Sequence, residues 1–266
     1  MFLPGITREQ MVLVDQLMVD LGVSVELMME NAGENLARLA VKLNKPNAKE
    51  TTFIIIAGSG GNAGGGIVAA RRLAAWGFST AIYFPKGTKK LRGVPKLQFD
   101  RATKMGINIF EGLPTNASQN QLFIDSYIGY SYQQREDSLT DEVFSFLRNH
   151  NPVLSLDSPS GVDVSTGENH GNFFPVATMT IAFPKIGLLL MPHRNLGDLY
   201  LGDIGVPINI YEKELGIKWK SPFNINDLYF LSKAFIEDTV QLVKIKRDSN
   251  TNQVGWIIDN QQIPVI

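Results

Sequence analysis

From Thr52 to Gly77 the chain reads TFIIIAGSGGNAGGGIVAARRLAAWG, and few folds accommodate such a stretch. Thr52 to Ala57 is a short β-branched apolar run, the pattern of a strand buried on both faces. Gly58, Gly60, Gly61, Gly64, Gly65 and Gly66 follow, interrupted only by Ser59, Asn62 and Ala63. Glycines at that density permit positive φ and close approach to the backbone. From Ile67 to Trp76 apolar residues recur at helical spacing, so the stretch reads as strand, glycine loop and helix. Unpaired N–H groups and the helix dipole then converge on one point and favour an anion there. The competing reading is a flexible connection that binds nothing. The dinucleotide fingerprint is matched only in part: Ala63 takes its last glycine position, and no acid stands about 20 residues further on.

Composition narrows the class of protein. With 266 residues, 44% of them hydrophobic, the chain can bury a large core, as one domain or one domain with an appendage. Twenty-five basic residues against 26 acidic ones leave no global field for nucleic acid or an anionic membrane. The absence of cysteine excludes disulfides, thiolate metal sites and thiol nucleophiles. The three histidines, His150, His170 and His193, are too scattered for a zinc site. The N-terminus lacks the pattern of a signal peptide and no apolar run is long enough to span a bilayer, so a cytoplasmic protein is expected.

Thr7-Arg8-Glu9-Gln10 has the form of a capping box, and Ser24 can cap a second helix. Within that second helix Asn31 and Gly33 are poor helix formers, so small residues there suggest close approach of another backbone. Asn31 reads equally well as a solvated residue. Strands are expected at Ser79–Phe84, Ile107–Phe110, Leu122–Asp125, Val153–Asp157, Met179–Phe183 and Leu199–Leu201, with helices up to about Met105 and over Asp141–Asn149. Lys86, Lys89, Lys90, Arg92 and Lys96 form a basic run, which reads as a solvated face or as a phosphate contact. Alternating strands and helices indicate a mostly parallel sheet with helices on both faces. Ligands bind such sheets beyond the carboxyl ends of the strands, where the glycine stretch, Asp125 and Asp157 all fall. Asp157-Ser158-Pro159-Ser160-Gly161 can be only a turn, or a carboxylate and hydroxyl of a polar site.

Five segments together resemble a known family. LMMENAG at Leu27–Gly33, GSGGNAGGGIVAAR at Gly58–Arg71, FIDSYIGYS at Phe123–Ser131, LDSPSGVDVSTG at Leu156–Gly167, and TIAFPK with the later GDLYLGDIGVP are similar to the YjeF N-terminal domain. The order and spacing hold over about residues 7 to 210. The resemblance implies a Rossmann-like three-layer α/β/α sandwich over residues 1–221, often a homodimer, with 222–266 as a C-terminal extension. In that extension Thr239–Arg247, Asp248-Ser249-Asn250 and Val254–Ile258 suggest a β-hairpin, for the sheet edge or a dimer contact.

The family's characterised enzymes interconvert the R and S forms of hydrated NADH and NADPH. Carried over residue by residue, the resemblance implies potassium held by Asn62, Asp125 and Ser160. It places the hydrated dinucleotide against Gly61, Asn62, Ala63, Gly64, Gly65, Gly129, Tyr130, Ser131 and Asp157. Inverting the hydrated carbon needs a proton shuttle, for which Asp157 is the candidate acid and base; the alternative is that it only orients the ribose or structures the loop. A separate dehydratase is expected to complete repair. The family's loop usually reads GPGNNGGDG; here Gly61 and Ala63 replace an Asn and a Gly, and Gly65 replaces the Asp. Gln134 stands for a customary glycine, and Val176-Ala177 for an Ala-Asp pair. Glu30 and Asp163 are candidates to supply the missing carboxylate. A non-catalytic nucleotide-binding or dimerisation scaffold on the same fold is the alternative function.

Overall fold

The computed structural model describes residues 5–115, 120–134 and 136–218, and the backbone of 242–247 and 256–258. The capping box at Thr7 is formed: Gln10 N donates to Thr7 Oγ1 (3.1 Å) and Thr7 N to Gln10 Oε1 (2.8 Å), opening helix α1 (Arg8–Asp20). Ser24 caps α2 (Val25–Leu43) by accepting from Leu27 N at 3.3 Å. Strand β1 (Thr52–Ala57) then leads into α3 (Gly61–Ala75), β2 (Ser79–Phe84), α4 (Gly93–Lys104) and β3 (Asn108–Glu111). The chain continues through β4 (Gln121–Ser126), α5 (Ser138–Asn149), β5 (Val153–Leu156) and β6 (Ala177–Ile181). After the short helices α6 (Ile186–Leu190) and α7 (His193–Leu196) come β7 (Asp198–Gly202) and α8 (Ile208–Glu214). Two further strands, β8 (Leu242–Arg247) and β9 (Trp256–Ile258), complete the sheet.

The strand order is β3-β2-β1-β4-β5-β6-β7-β8-β9. β1 to β7 are all parallel; β8 lies antiparallel to β7, and β9 antiparallel to β8. The turn expected at 248–250 lies outside the described residues. Alternation along β1 explains the layers. Phe53, Ile55 and Ala57 pack with Leu36, Ala63, Ile67 and Ala70 of α2 and α3, whereas Ile54 and Ile56 pack with Val143, Phe146 and Leu147 of α5. β1 is therefore buried on both faces, and the fold is a Rossmann-like α/β sandwich. A further core joins Met11, Val14 and Met18 of α1 to Phe183, Leu188 and Leu189.

α3 begins at Gly61, well before the Ile67 expected from the apolar periodicity. Gly61 to Gly66 are its first turns rather than a loop, and none of the glycines from Gly58 to Gly66 has a positive φ. At Gly58, Gly64, Gly65 and Gly66 their purpose is proximity. A Cβ on Gly66 would lie 2.0 Å from Ser126 Oγ, and one on Gly33 of α2 would lie 2.4 Å from Val68 Cβ and 2.7 Å from the Gly65 carbonyl. The helical propensity lost at these positions, about 1 kcal/mol per glycine, is exchanged for backbone contact on both sides of α3. Gly33→Ala is expected to lower stability by about 1–3 kcal/mol through overpacking. Gly61→Ala, whose Cβ meets nothing within 4 Å, should leave stability unchanged or slightly raised. Urea unfolding of the two variants checks both.

Candidate active site

The strand order reverses between β1 and β4, because β1 leads outward to β2 and β4 leads outward to β5. Loops leaving these two strands diverge and open a crevice at the carboxyl edge. Asn62, Asp125, Asp157 and Lys185 follow or end β1, β4, β5 and β6 respectively, so four successive parallel strands each deliver a polar side chain to that edge.

Asp125 and Ser160 form one node. Asp125 is fully buried; its Oδ1 accepts from Ser160 Oγ (2.5 Å) and Tyr127 N (3.3 Å), and its Oδ2 from Ser155 Oγ (2.9 Å) and Ser160 N (2.8 Å). Ser160 Oγ also accepts from Ile128 N at 2.9 Å. Burial pushes the Asp125 carboxyl above its ordinary range, and the Ser160 hydroxyl and amide oppose that rise. Strand pairing explains the assembly, since Asp125 stands beside Ser155 in the β4–β5 register.

Asp157 and Lys185 form a second node. Asp157 is 2% exposed and Lys185 is 0% exposed, and the two make a buried ion pair. Lys185 Nζ also donates to Ile181 O (3.0 Å) and Thr180 Oγ1 (3.3 Å), so all three ammonium protons have acceptors. Asp157 Oδ2 accepts from Tyr130 N at 2.8 Å. Asp157 adopts φ +68°, a left-handed conformation that costs a non-glycine residue energy and recurs at functional sites. Lys185 escaped the sequence reading, although it stood inside TIAFPK. Its signal was a lone lysine between a buried strand and the apolar run IGLLL.

Gly129 bridges these nodes to α3. A Cβ there would sit 2.9 Å from both Asn62 Oδ1 and Asp157 Oδ2, so only glycine lets these two side chains close around the 129 backbone. Asn62 Nδ2 is buried without a hydrogen-bond partner. Gly61 and Ser131 are exposed and Tyr130 is half-buried. Ala63 is buried in the core, Gly64 faces Met29, and a Cβ on Gly65 would lie 2.7 Å from Leu156 Cδ2. Glu30 is taken up by Arg71 (2.5 Å), Arg72 (3.2 Å) and Gln98 (3.1 Å), while Asp163 accepts from Ser165 N (2.7 Å) and Thr166 N (3.2 Å). Both carboxylates are thus committed elsewhere. In the basic run, Lys86 pairs with Asp137 and Lys96 with Asp100.

A parallel sheet with a polar crevice at its switch point, and an ion-paired carboxylate on a strained backbone within it, defines a Rossmann-like ligand-binding protein with the means for proton transfer. Residues 25–187 match the model of the YjeF-related protein N-terminus, and the chain belongs to that family. An NAD(P)H-hydrate epimerase of Dehalogenimonas lykanthroporepellens is 35% identical over 215 residues, covering 79% of this chain and 85% of that one. One of Dictyostelium discoideum is 32% identical over 192 residues, 68% of this chain and 79% of that one. A bifunctional NAD(P)H-hydrate repair enzyme of Thermofilum pendens is 32% identical over 201 residues, 72% of this chain but 38% of the longer relative. The fold is similar to the crystal structure of yeast ynu0, with TM-score 0.74 and 19% identity over 91% of this chain and 100% of that one. Among the described residues no helix is long and apolar enough to cross a membrane.

Asp15 of α1 also reaches this site, where its Oδ2 accepts from the Tyr130 hydroxyl at 2.8 Å. Burial pushes the Asp15 carboxyl up, opposed by the Tyr130 hydrogen bond and the Lys185 charge. A carboxyl whose folded pKa is raised contributes stability below its unfolded value, and loses it as pH climbs through the folded one. Asp15→Asn removes that titration. Its stability relative to the wild type is therefore expected to improve as pH rises from about 4 until the folded carboxyl has ionised, and to level off above that, as denaturant titrations across pH will measure.

Proposed function

We propose that this chain is an NAD(P)H-hydrate epimerase, interconverting the R and S forms of hydrated NADH and NADPH. Family membership and the names of its relatives support the substrate class. The observation that carries the chemistry is the buried Asp157 carboxylate, paired with Lys185 and placed against Gly129 and Asn62. A buried ion pair is weak evidence for stability, which favours a chemical role for this one over a purely structural role.

The reacting centre is C6 of the hydrated ring, which bears the hydroxyl next to the ring nitrogen. An ion-paired carboxylate starts as a proton acceptor, so the route begins by removing the hydroxyl proton. The C6 carbonyl forms as the C6–N1 bond breaks, with N1 protonated from crevice water. Rotation about C5–C6 presents the other carbonyl face; N1 adds back, returns its proton to water, and Asp157 returns its own to the new hydroxyl. No electron is gained or lost. Lys185 Nζ holds one carboxylate oxygen of Asp157 and Tyr130 N the other, so the base stays in place through the cycle. The N-terminal amides of α3, at Gly61 to Ala63, suit the pyrophosphate.

Potassium fits Asn62, Asp125 and Ser160, which offer amide, carboxylate and hydroxyl oxygens to a hard cation. Asp125 is fully buried with only hydroxyls and backbone amides as its hydrogen-bond partners, and rotating the Asn62 amide would turn its oxygen toward the place where its nitrogen finds no partner. The ion would supply positive charge at the crevice. A homodimer in the cytoplasm is the working form inferred, with a dehydratase as the partner activity that consumes one epimer.

The test supplies mixed R and S NADHX with an S-specific dehydratase, and follows consumption of the R form. Wild type should accelerate it over the spontaneous rate, and Asp157→Asn should lower kcat by about 10²- to 10⁴-fold. Spontaneous-rate consumption with folded wild type would sink the epimerase reading. Adding Lys185→Met to Asp157→Asn removes the stranded ammonium and should restore stability without restoring activity. Exchanging potassium for choline should lower the thermal midpoint of the wild type and leave that of Asp125→Asn unmoved.

A further inference from the structure

The N-terminal segment precedes the residues matched to the family, yet it touches both members of the Asp157–Lys185 pair through one intermediary each. Ile6 N donates to Pro184 O (2.9 Å) and Ile186 N donates to Ile6 O (3.0 Å), so a fully buried Ile6 brackets Lys185 from both sides as a parallel bridge. Met11, Val14 and Met18 of α1 then pack on Phe183, Leu188 and Leu189, the corner from which Lys185 projects. On the same helix Asp15 accepts from the Tyr130 hydroxyl at 2.8 Å, and the Tyr130 amide is the group that holds Asp157 Oδ2. The Lys185 ammonium lies 5.8 Å from the centre of the Tyr130 ring. Two helical turns before Asp15, on the same face, Arg8 donates to the Gln133 amide oxygen at 3.0 and 3.3 Å when that amide is turned toward it.

We propose that Gly5–Asp20 is a clamp that sets the catalytic pair from outside the catalytic strands, with Asp15 as its positioning residue acting through Tyr130. Ile6 fixes the lysine's backbone; Asp15 and Arg8 fix the two ends of the 130–133 loop. The Tyr130 ring is thereby held at its hydroxyl while its amide holds the base. A tyrosine tethered at both ends transmits any displacement of α1 to Asp157, and small misplacements of a base are costly in rate. The inference rests on the epimerase reading only for its effect on turnover; the clamp itself concerns the free protein.

Two measurements separate these. The first is hydrogen exchange at the Tyr130 amide without substrate. Asp15→Ala and Tyr130→Phe are each expected to speed it by about 10-fold, whereas Asp15→Asn, which keeps an acceptor for the phenol, preserves the wild-type rate. The second is steady-state epimerisation, where the same two variants should lose about 10-fold in kcat with KM little changed, and Asp15→Asn should recover most of it. If Asp15→Ala does not fold, Tyr130→Phe carries both readouts, since it keeps the ring and the backbone. Unchanged exchange in both variants overturns the clamp. Faster exchange with unaltered kcat in an active enzyme overturns it as a positioning device. Faster exchange in a protein whose wild type does not epimerise leaves the clamp standing and removes the epimerase reading instead.

Discussion

The site depends on one charge placed where charges are costly. Moving an ammonium and a carboxylate out of water carries a desolvation penalty of several kcal/mol per ion even after relaxation, and the attraction between them repays it only with good geometry and satisfied remaining hydrogen bonds. Here Lys185 uses every proton and both oxygens of Asp157 are occupied. The pair joins the ends of β5 and β6, and through Tyr130 it also fixes the loop after β4. Three strand termini are thus held in register by a single electrostatic contact. A site of this kind is preorganised before any ligand arrives.

The other buried carboxylate follows a different logic. Asp125 meets only neutral donors, so its charge is dispersed over hydroxyls and amides of three segments. One acid is paired with a fixed lysine and the other with hydroxyl and amide dipoles, at the ends of adjacent strands of the same sheet. Environments that differ in this way set chemically identical groups apart.

Much of this was legible in the sequence because it is local or periodic. Strands β1, β2, β4 and β5 and both N-terminal caps follow from side-chain alternation and short-range hydrogen bonding, and Asp125 and Asp157 could be placed at strand ends by the same means. Two features were not legible. Composition signals permissive backbone at Gly61–Gly66 and so a loop, whereas Gly64, Gly65 and Gly66 serve contact with partners distant in sequence. Lys185 and Asp15 acquire meaning only through Asp157 and Tyr130, and Asp15 and Tyr130 stand 115 residues apart. Pairings of that range leave no periodic trace in a single chain.

The close seating of α3 also constrains how this chain can change over time. At Gly33 and Gly66 there is no room for even a methyl group, and the neighbours concerned, Val68 and Ser126, sit on other elements of the core. Enlargement on one side is viable only alongside a reduction on the other. These positions should therefore vary in linked pairs among descendants, while exposed Ser131 drifts alone. The N-terminal end of α3 inherits that rigidity, so change is more readily reached through the 130–133 loop and the helix that holds it.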